Sequence, residues 1–375
     1  MLSVSYFTNH ESRFTDNESR FTDNESRIKM EQFTIDTGGQ ISKILLGESI
    51  ENFVNYIPKA KKTIIVTDAN IIKHYSKCFS QFPVIEISMG EDNKTLSTVD
   101  YIMERLVELE ADRTTYIVGI GGGIVCDVTG FAASIYMRGL RFGFVSTTLL
   151  SMVDASVGGK NGVNHRGYKN MVGTFNQPEF VICDYMLLLT LDRQEYLGGF
   201  GEIIKHAAIK DAAMFDYMEQ NSNKALNYDF EVIHQLIRDS IVIKSRVVEQ
   251  DEKESGERKK LNFGHTFAHS LEKHTNLSHG QAVAVGMVYA SRMSANIGLI
   301  SNADADRIKK LVTAYQLPCE SSIDSKTLFD GMKKDKKREG DGVHLILLQK
   351  IGEAIIKSLT YNQLEEAIDD LHCTK

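Results

Sequence analysis

Thr115-Tyr-Ile-Val-Gly-Ile-Gly-Gly-Gly-Ile-Val-Cys-Asp127 is the stretch on which the fold turns. Thr115 to Val118 is an apolar, β-branched strand, glycines interrupt it from Gly119 to Gly123, and helical spacing runs from about Ile124 to Met137. A strand that passes through glycines into a helix brings backbone N–H groups and a helix N-terminus to one point, where a pyrophosphate can bind. Glycine suits that point because a Cβ would hold the phosphate away. The run departs from the dinucleotide fingerprint G-x-G-x-x-G, since Ile124 stands where the third glycine belongs. Alone, such a turn is structural about as often as it is functional.

Working outward, Thr63 to Thr67 (TIIVT) reads as a buried strand, and Ser97 to Glu110 as a capped helix with apolar positions three and four apart. Strands alternating with helices in this way predict βαβ units and a mostly parallel sheet. Beyond Asp184 the pattern changes to long amphipathic helices. The expectation is a Rossmann-like α/β nucleotide-binding domain over residues 30–184, followed by an all-α domain over 185–375. Residues 1–29 form a leader in which FTNHESR, FTDNESR and FTDNESR repeat in tandem. One apolar residue in seven is too few for a coiled-coil seam, so the leader is expected to be disordered and outside the fold.

Bulk properties exclude several classes. A chain of 375 residues with 42% hydrophobic content can build two cores. Its net charge of −7 and the lack of a basic stripe argue against nucleic acid or an anionic membrane face as partner. Five scattered cysteines without a Cys-x-x-Cys pair suit a reduced, cytoplasmic protein. Neither a membrane-spanning apolar run nor a secretory signal is present in the sequence.

Candidate chemistry is dispersed along the chain. Asp68 and Asn70 follow the first strand, at the end where open α/β sheets grip ribose and base, and Ser88-Met-Gly-Glu-Asp-Asn-Lys94 closes the next. His265 and His269 are four apart, so on a helix they share a face. With His279 and Glu202 they offer the carboxylate-plus-imidazole set of a catalytic zinc site, although spacing does not choose between the histidines. Asp154 to Asn170 (DASVGGKNGVNHRGYKN), with Arg138, Lys205, Lys244, Arg258 and Lys336, suggests a pocket for several anionic oxygens.

Taken together, Gly121-Gly-Gly-Ile-Val-Cys-Asp-Val-Thr-Gly-Phe131, Tyr136-Met-Arg-Gly139, Ser146-Thr-Thr-Leu-Leu150, Val153-Asp-Ala-Ser-Val-Gly-Gly-Lys160, Lys169-Asn170, Gly201-Glu-Ile-Ile-Lys205, Leu261-Asn-Phe-Gly-His-Thr-Phe-Ala-His269 and His279-Gly280 resemble the 3-dehydroquinate synthase family, in order, from about Gln32 to Leu371. The resemblance implies a dehydroquinate synthase-like fold and a sugar-phosphate cyclase that recycles NAD and uses Zn²⁺, with Co²⁺ as an alternative ion. It implies Glu202, His265 and His279 as metal ligands. Arg138, Lys160, Asn170, Asn262, His269 and Lys336 fall at phosphate positions, Lys244 and Arg258 at carboxylate positions, and Asp154 and Lys205 at ring-hydroxyl positions. Lys205, His269, Asp154, Lys160, Lys244, Arg258 and Asn262 are the implied catalytic set. NAD positions are Asp68, Asn70, Glu91, Lys94, Gly122, Gly123, Asp127, Thr147, Thr148, Lys160, Lys169, Leu187 and Thr190. A homodimer is implied, with Arg138 reaching the neighbouring subunit.

Ser146, Asn161, Gly201 and Gln281 depart from residues usual in the family, but none removes a group with a stated chemical role. Two rival readings are a cyclase for an uncarboxylated sugar phosphate and a metal-dependent polyol dehydrogenase. The first would leave Lys244 and Arg258 without a carboxylate, and the second would accumulate NADH.

Overall fold

The structure, a computed structural model, describes residues 30–59, 62–335 and 342–373; the leader and Lys336 lie outside them. Strands β1 (Glu31–Asp36) and β2 (Ile41–Leu46) pair antiparallel. The alternating units follow: β3 (Thr63–Asp68), α1 (Ala69–Tyr75), β4 (Val84–Ile87), α2 (Leu96–Glu108), β5 (Tyr116–Gly121), α3 (Gly123–Ile135) and β6 (Arg141–Ser146). A hairpin of β7 (Lys160–His165) and β8 (Tyr168–Phe175) precedes β9 (Phe180–Cys183). The cap of α2 is Thr95, two residues before the expected Ser97, and its hydroxyl accepts from the Thr98 N–H at 3.4 Å.

The seven-stranded sheet runs β1-β2-β9-β6-β5-β3-β4 and is parallel apart from its first pair. All six residues of β5 are buried, as a strand covered on both faces requires. From β3 the chain moves out to β4, then returns past β3 to β5. That reversal opens a crevice at the carboxyl ends of β3 and β5, where ligands of open α/β sheets bind. Asp68 and the Gly121-Gly-Gly123 turn stand at those two strand ends. A Cβ on Gly121 would lie 2.5 Å from Val125 Cγ2, and one on Gly122 2.9 Å from Thr148 Cγ2, so larger residues do not fit.

The second half is built from α4 (Arg193–Lys210), α5 (Ala212–Leu226), α6 (Phe230–Gln250), α7 (His265–His274), α8 (His279–Asn296), α9 (Asn302–Ala314) and α10 (Ser325–Asp335). A hairpin absent from the sequence reading follows, β10 (Gly342–Lys350) with β11 (Glu353–Thr360), before α11 (Tyr361–Cys373). Two strands alone are marginal. This pair is fixed to the helices by Gly352 N–H donating to Ala208 O at 2.8 Å and Leu348 N–H to Ser294 Oγ at 3.0 Å.

Glycine sets how α8 meets its neighbours. A Cβ on Gly280 would lie 2.0 Å from Gly198 O, and one on Gly286 2.1 Å from Gly264 O. Backbone therefore touches backbone at both crossings, bringing Glu202 of α4 and His265 of α7 beside His279, the first residue of α8. Among the described residues no helix is long and apolar enough to cross a membrane.

Candidate active site

Glu202, His265 and His279 offer ligand atoms that all lie within 4.8 Å of one another. Each histidine places Nε2 3.6 Å from the same oxygen, Glu202 Oε1. That oxygen is fully buried and has no hydrogen-bond partner, whereas Oε2 accepts from the Lys205 ammonium. A buried carboxylate oxygen without a donor, faced by two imidazoles, fits a cation, because a charge so placed is otherwise costly. The far nitrogen of each ring is anchored: His265 Nδ1 by Phe263 O at 3.2 Å, and His279 Nδ1 by Glu272 Oε1 at 2.9 Å.

Electrostatics keep the site's groups in defined states. Burial opposes ionisation of Glu202, but Lys205 and the two imidazoles hold it well below the usual carboxylate range. Burial and the Lys205 ammonium push His265 down to about 3, so it stands as neutral imidazole. His279 is raised to about 9, against the effect of burial, by the carboxylates of Glu202 and Glu272.

A basic cluster adjoins these groups. Lys244 donates both to the carboxylate and to the backbone oxygen of Asp154. Burial lowers the Lys244 ammonium to about 8, with Asp154 opposing and Arg258 reinforcing the shift. Arg258 is 2% exposed and donates to Glu252 O at 2.6 Å and Gly158 O at 2.9 Å, which uses two of its five N–H groups. Lys160 pairs with Glu254, and Asn262 Nδ2 donates to the other oxygen of that carboxylate at 2.6 Å. Two groups expected to hold phosphate are thus joined through one carboxylate. His269 stands one turn along α7 from His265, their rings edge to face at 6.0 Å.

On the sheet side, Asp68 caps α1, accepting from Asn70 N–H at 2.9 Å and Ile71 N–H at 3.2 Å through Oδ1. Lys94 bridges Asp127 and Asn170, the latter at 2.6 Å. Thr147 N–H donates to Gly121 O at 3.0 Å, and Thr148 packs on Gly122. Thr190 shares a hydrogen bond of 2.7 Å with Tyr75, and Leu187 is buried beside them. Lys169, on β8, lies 3.9 Å from Glu91 and 2.8 Å from Glu272.

Arg138 is not brought into the cluster. It follows α3 in an exposed turn, about 20 Å along the helix from the glycine turn. Lys336 lies outside the described residues. Three residues escaped sequence reasoning: Glu254, Glu272 and His206. His206 is fully buried, 4.0 Å from Asp154 Oδ1, with neither ring nitrogen hydrogen-bonded, and burial with the Lys205 charge pushes it down to about 3. Its position four after Glu202, and that of Glu272 three after His269, were usable signals of a shared helix face. Glu254 sits in a charge run that gave none.

Comparison with known proteins adds to this geometry. Residues 84–198 match the family model described as 3-dehydroquinate synthase N-terminal, and 199–338 the one described as 3-dehydroquinate synthase C-terminal. The 3-dehydroquinate synthase of Campylobacter concisus is 44% identical over 286 residues, covering 75% of this chain and 81% of that protein. A 2-deoxy-scyllo-inosose synthase, solved with carbaglucose-6-phosphate, NAD+ and Co2+, superposes with TM-score 0.81 at 28% identity, covering 91% of this chain and all of that one. The 2-epi-5-epi-valiolone synthase of Streptomyces hygroscopicus, with NAD+ and Zn2+ bound, shares the fold at TM-score 0.81 and 23% identity, covering 93% of this chain and 99% of that one.

Proposed function

The chain belongs to the 3-dehydroquinate synthase family, and on that premise we propose that it converts 3-deoxy-D-arabino-heptulosonate 7-phosphate to 3-dehydroquinate and phosphate. The observation that carries the reading is the convergence of His265 and His279 on the unpartnered Oε1 of Glu202, with Asp154 of the Lys244–Asp154 pair clustered at the same carboxylate. Glu202, His265 and His279 would hold Zn²⁺ or Co²⁺, and the crevice at Asp68 and Gly121 to Gly123 would hold NAD. When bound, the metal supplies Lewis acidity at the substrate alcohol, and NAD a hydride acceptor restored in each cycle.

The chain's own residues do the rest by position. Lys244 and the free N–H groups of Arg258 take the substrate carboxylate, Arg through its planar fork. Asp154, relieved of Lys244 by that carboxylate, and Lys205 accept from and donate to the ring hydroxyls. Lys160, Asn170, Asn262 and His269 gather the phosphate, which holds a proton-accepting oxygen near the carbon that must lose its proton. Fixing both ends of a flexible chain makes elimination and ring closure intramolecular, where orientation alone contributes several kcal/mol.

An uncarboxylated sugar phosphate would leave the free N–H groups of the buried Arg258 without a carboxylate and Lys244 with Asp154 alone, which disfavours the neighbouring cyclase activities. The free cysteines Cys78, Cys126, Cys183 and Cys319 suit a reduced, cytoplasmic protein, and a homodimer is what the family resemblance implies.

The test is phosphate release from the heptulosonate phosphate, glucose 6-phosphate and sedoheptulose 7-phosphate, each with NAD and zinc, while NADH is followed in the same cuvette. Turnover of the first alone, without net NADH, is expected. Release only from an uncarboxylated substrate, or stoichiometric NADH, refutes the proposal. His265→Ala is expected to lose zinc and activity together, and a variant with full zinc content contradicts the ligand assignment.

A further inference from the structure

Two imidazoles that present Nε2 to one cation must carry their protons on Nδ1, and each needs something behind it to hold the ring in that orientation. For His265 the holder is a main-chain carbonyl, Phe263 O, two residues back in its own chain segment. His279 has no such local anchor. It is the first residue of α8, its side chain is 34% exposed, and its Nδ1 partner comes from another helix, at Glu272 Oε1.

Glu272 is an unusual side chain for its place. It is 4% exposed, on the stripe of α7 that also carries His265 and His269. Both of its donors, His279 Nδ1 at 2.9 Å and Lys169 Nζ at 2.8 Å, crowd onto Oε1, while the buried Oε2 has no partner. A carboxylate retained only for stability would be expected to satisfy both oxygens, since leaving one buried and unpaired costs about 1–3 kcal/mol. The geometry instead spends one oxygen on two tasks. Lys169 belongs to the β7–β8 hairpin on the sheet side of the cleft, whereas Glu272 and His279 belong to the helical side. The ammonium pins the carboxylate, and the carboxylate pins the imidazole.

We propose that Glu272, held by Lys169, is the positioning residue for His279: it fixes the Nδ1–H tautomer and ring plane, so that Nε2 faces the cation beside Glu202. The inference rests on the reading of Glu202, His265 and His279 as metal ligands. It assigns Glu272 no contact with substrate and no proton transfer. Its effect therefore appears first in metal affinity and in the ligand field of the bound ion, and only through them in turnover.

The experiment measures zinc affinity of the full chain by chelator competition for wild type, Glu272→Gln and Glu272→Ala, with visible spectra of the Co²⁺-loaded forms. Glu272→Gln keeps shape and an acceptor oxygen, so its chelator-treated form is expected to melt within a few degrees of wild type. Loss of outer-shell support of this kind weakens metal binding roughly 10- to 100-fold. Glu272→Ala is expected at the upper end and Glu272→Gln below it, both with a shifted Co²⁺ spectrum. Zinc affinity of Glu272→Gln within about twofold of wild type, with an unchanged Co²⁺ spectrum, overturns the proposal and leaves the metal site standing. Failure of the wild type itself to bind zinc overturns the metal-site reading, and this inference with it.

Discussion

Gly280→Ala puts the architecture of the site to its hardest test. A Cβ at Gly280 would lie 2.0 Å from Gly198 O, 2.5 Å from Gly198 C and 2.7 Å from Gly198 Cα, all main-chain atoms that no rotamer change can move aside. Ordinary carbon contacts begin near 3.5 Å, so α8 must retreat from α4 by about 1 Å or more. His279 precedes the substituted residue and moves with it, while Glu202 stays on α4. Ligand distances in a metal site tolerate about 0.2 Å, and a misplacement of about 1 Å costs on the order of 10²-fold in rate. Stability should fall less: overpacking costs about 1–3 kcal/mol, offset by up to about 1 kcal/mol for replacing glycine within a helix. The assay pairs zinc affinity by chelator competition with phosphate release and thermal melting. Gly39→Ala, where nothing lies within 4 Å of the new Cβ, serves as the control. The expected pattern is weakened zinc binding and roughly hundredfold slower turnover in a protein that still melts cooperatively. Gly280→Ala with the zinc affinity and turnover of Gly39→Ala would refute the claim that this crossing places the ligands.

Two further outcomes follow from the basic cluster. Arg258→Lys keeps at most one of the bonds that anchor the guanidinium, to Glu252 O and Gly158 O, and loses one of the two charged hydrogen bonds that its free N–H groups would make to the substrate carboxylate. The loss of about 1.5–3 kcal/mol corresponds to roughly a tenfold to hundredfold fall in kcat/KM for the heptulosonate phosphate. NAD affinity should be unchanged, and equal damage to both would show that Arg258 does not face the substrate carboxylate. For pH, Lys244 titrates at about 8 and only its ammonium attracts a carboxylate. So kcat/KM should decline as pH rises through about 8, and Asp154→Asn, which removes the carboxylate opposing that shift, should move the limb lower. A profile that stays flat to pH 9.5 contradicts the role given to Lys244.

The parts of the molecule governed by local rules were legible in the sequence. The strand, glycines and helix around Gly121 follow from periodicity and from the steric needs of a close approach; α3 forms within two residues of its expected ends, and β5 runs three residues past Val118, through the first glycines. The β10–β11 hairpin was not legible, because Val343 to Leu348 is a short apolar run that reads equally well as buried helix until its partner strand is known. Glu254 was hidden for another reason, and for Glu272 the spacing from His269 gave the helix face but not the partners. Exposed and buried carboxylates look alike in a sequence, and only the fold reveals that Lys160 and Asn262 meet at the first, and Lys169 and His279 at the second.

The site also explains why its surroundings are packed as they are. Glu202, Lys205, His206 and Arg258 are each 2% exposed or less, and burying so many ionisable groups opposes folding unless each finds a partner. Partners exist for most of them, but Glu202 Oε1 and both nitrogens of His206 are left without one. Such groups persist only where the scaffold cannot relax to satisfy them. The two glycine crossings hold the helices in place: α8 is pressed backbone to backbone against Gly198 at one end and Gly264 near its middle, which fixes how the backbones of α4 and α7 stand to His279. An unsatisfied oxygen fixed beside two oriented imidazoles gains from a cation without prior rearrangement, and that is the condition under which electrostatic preorganisation is most effective. The cost of burying Glu202 Oε1 without a donor and the affinity proposed for a cation beside it are then consequences of the same two contacts.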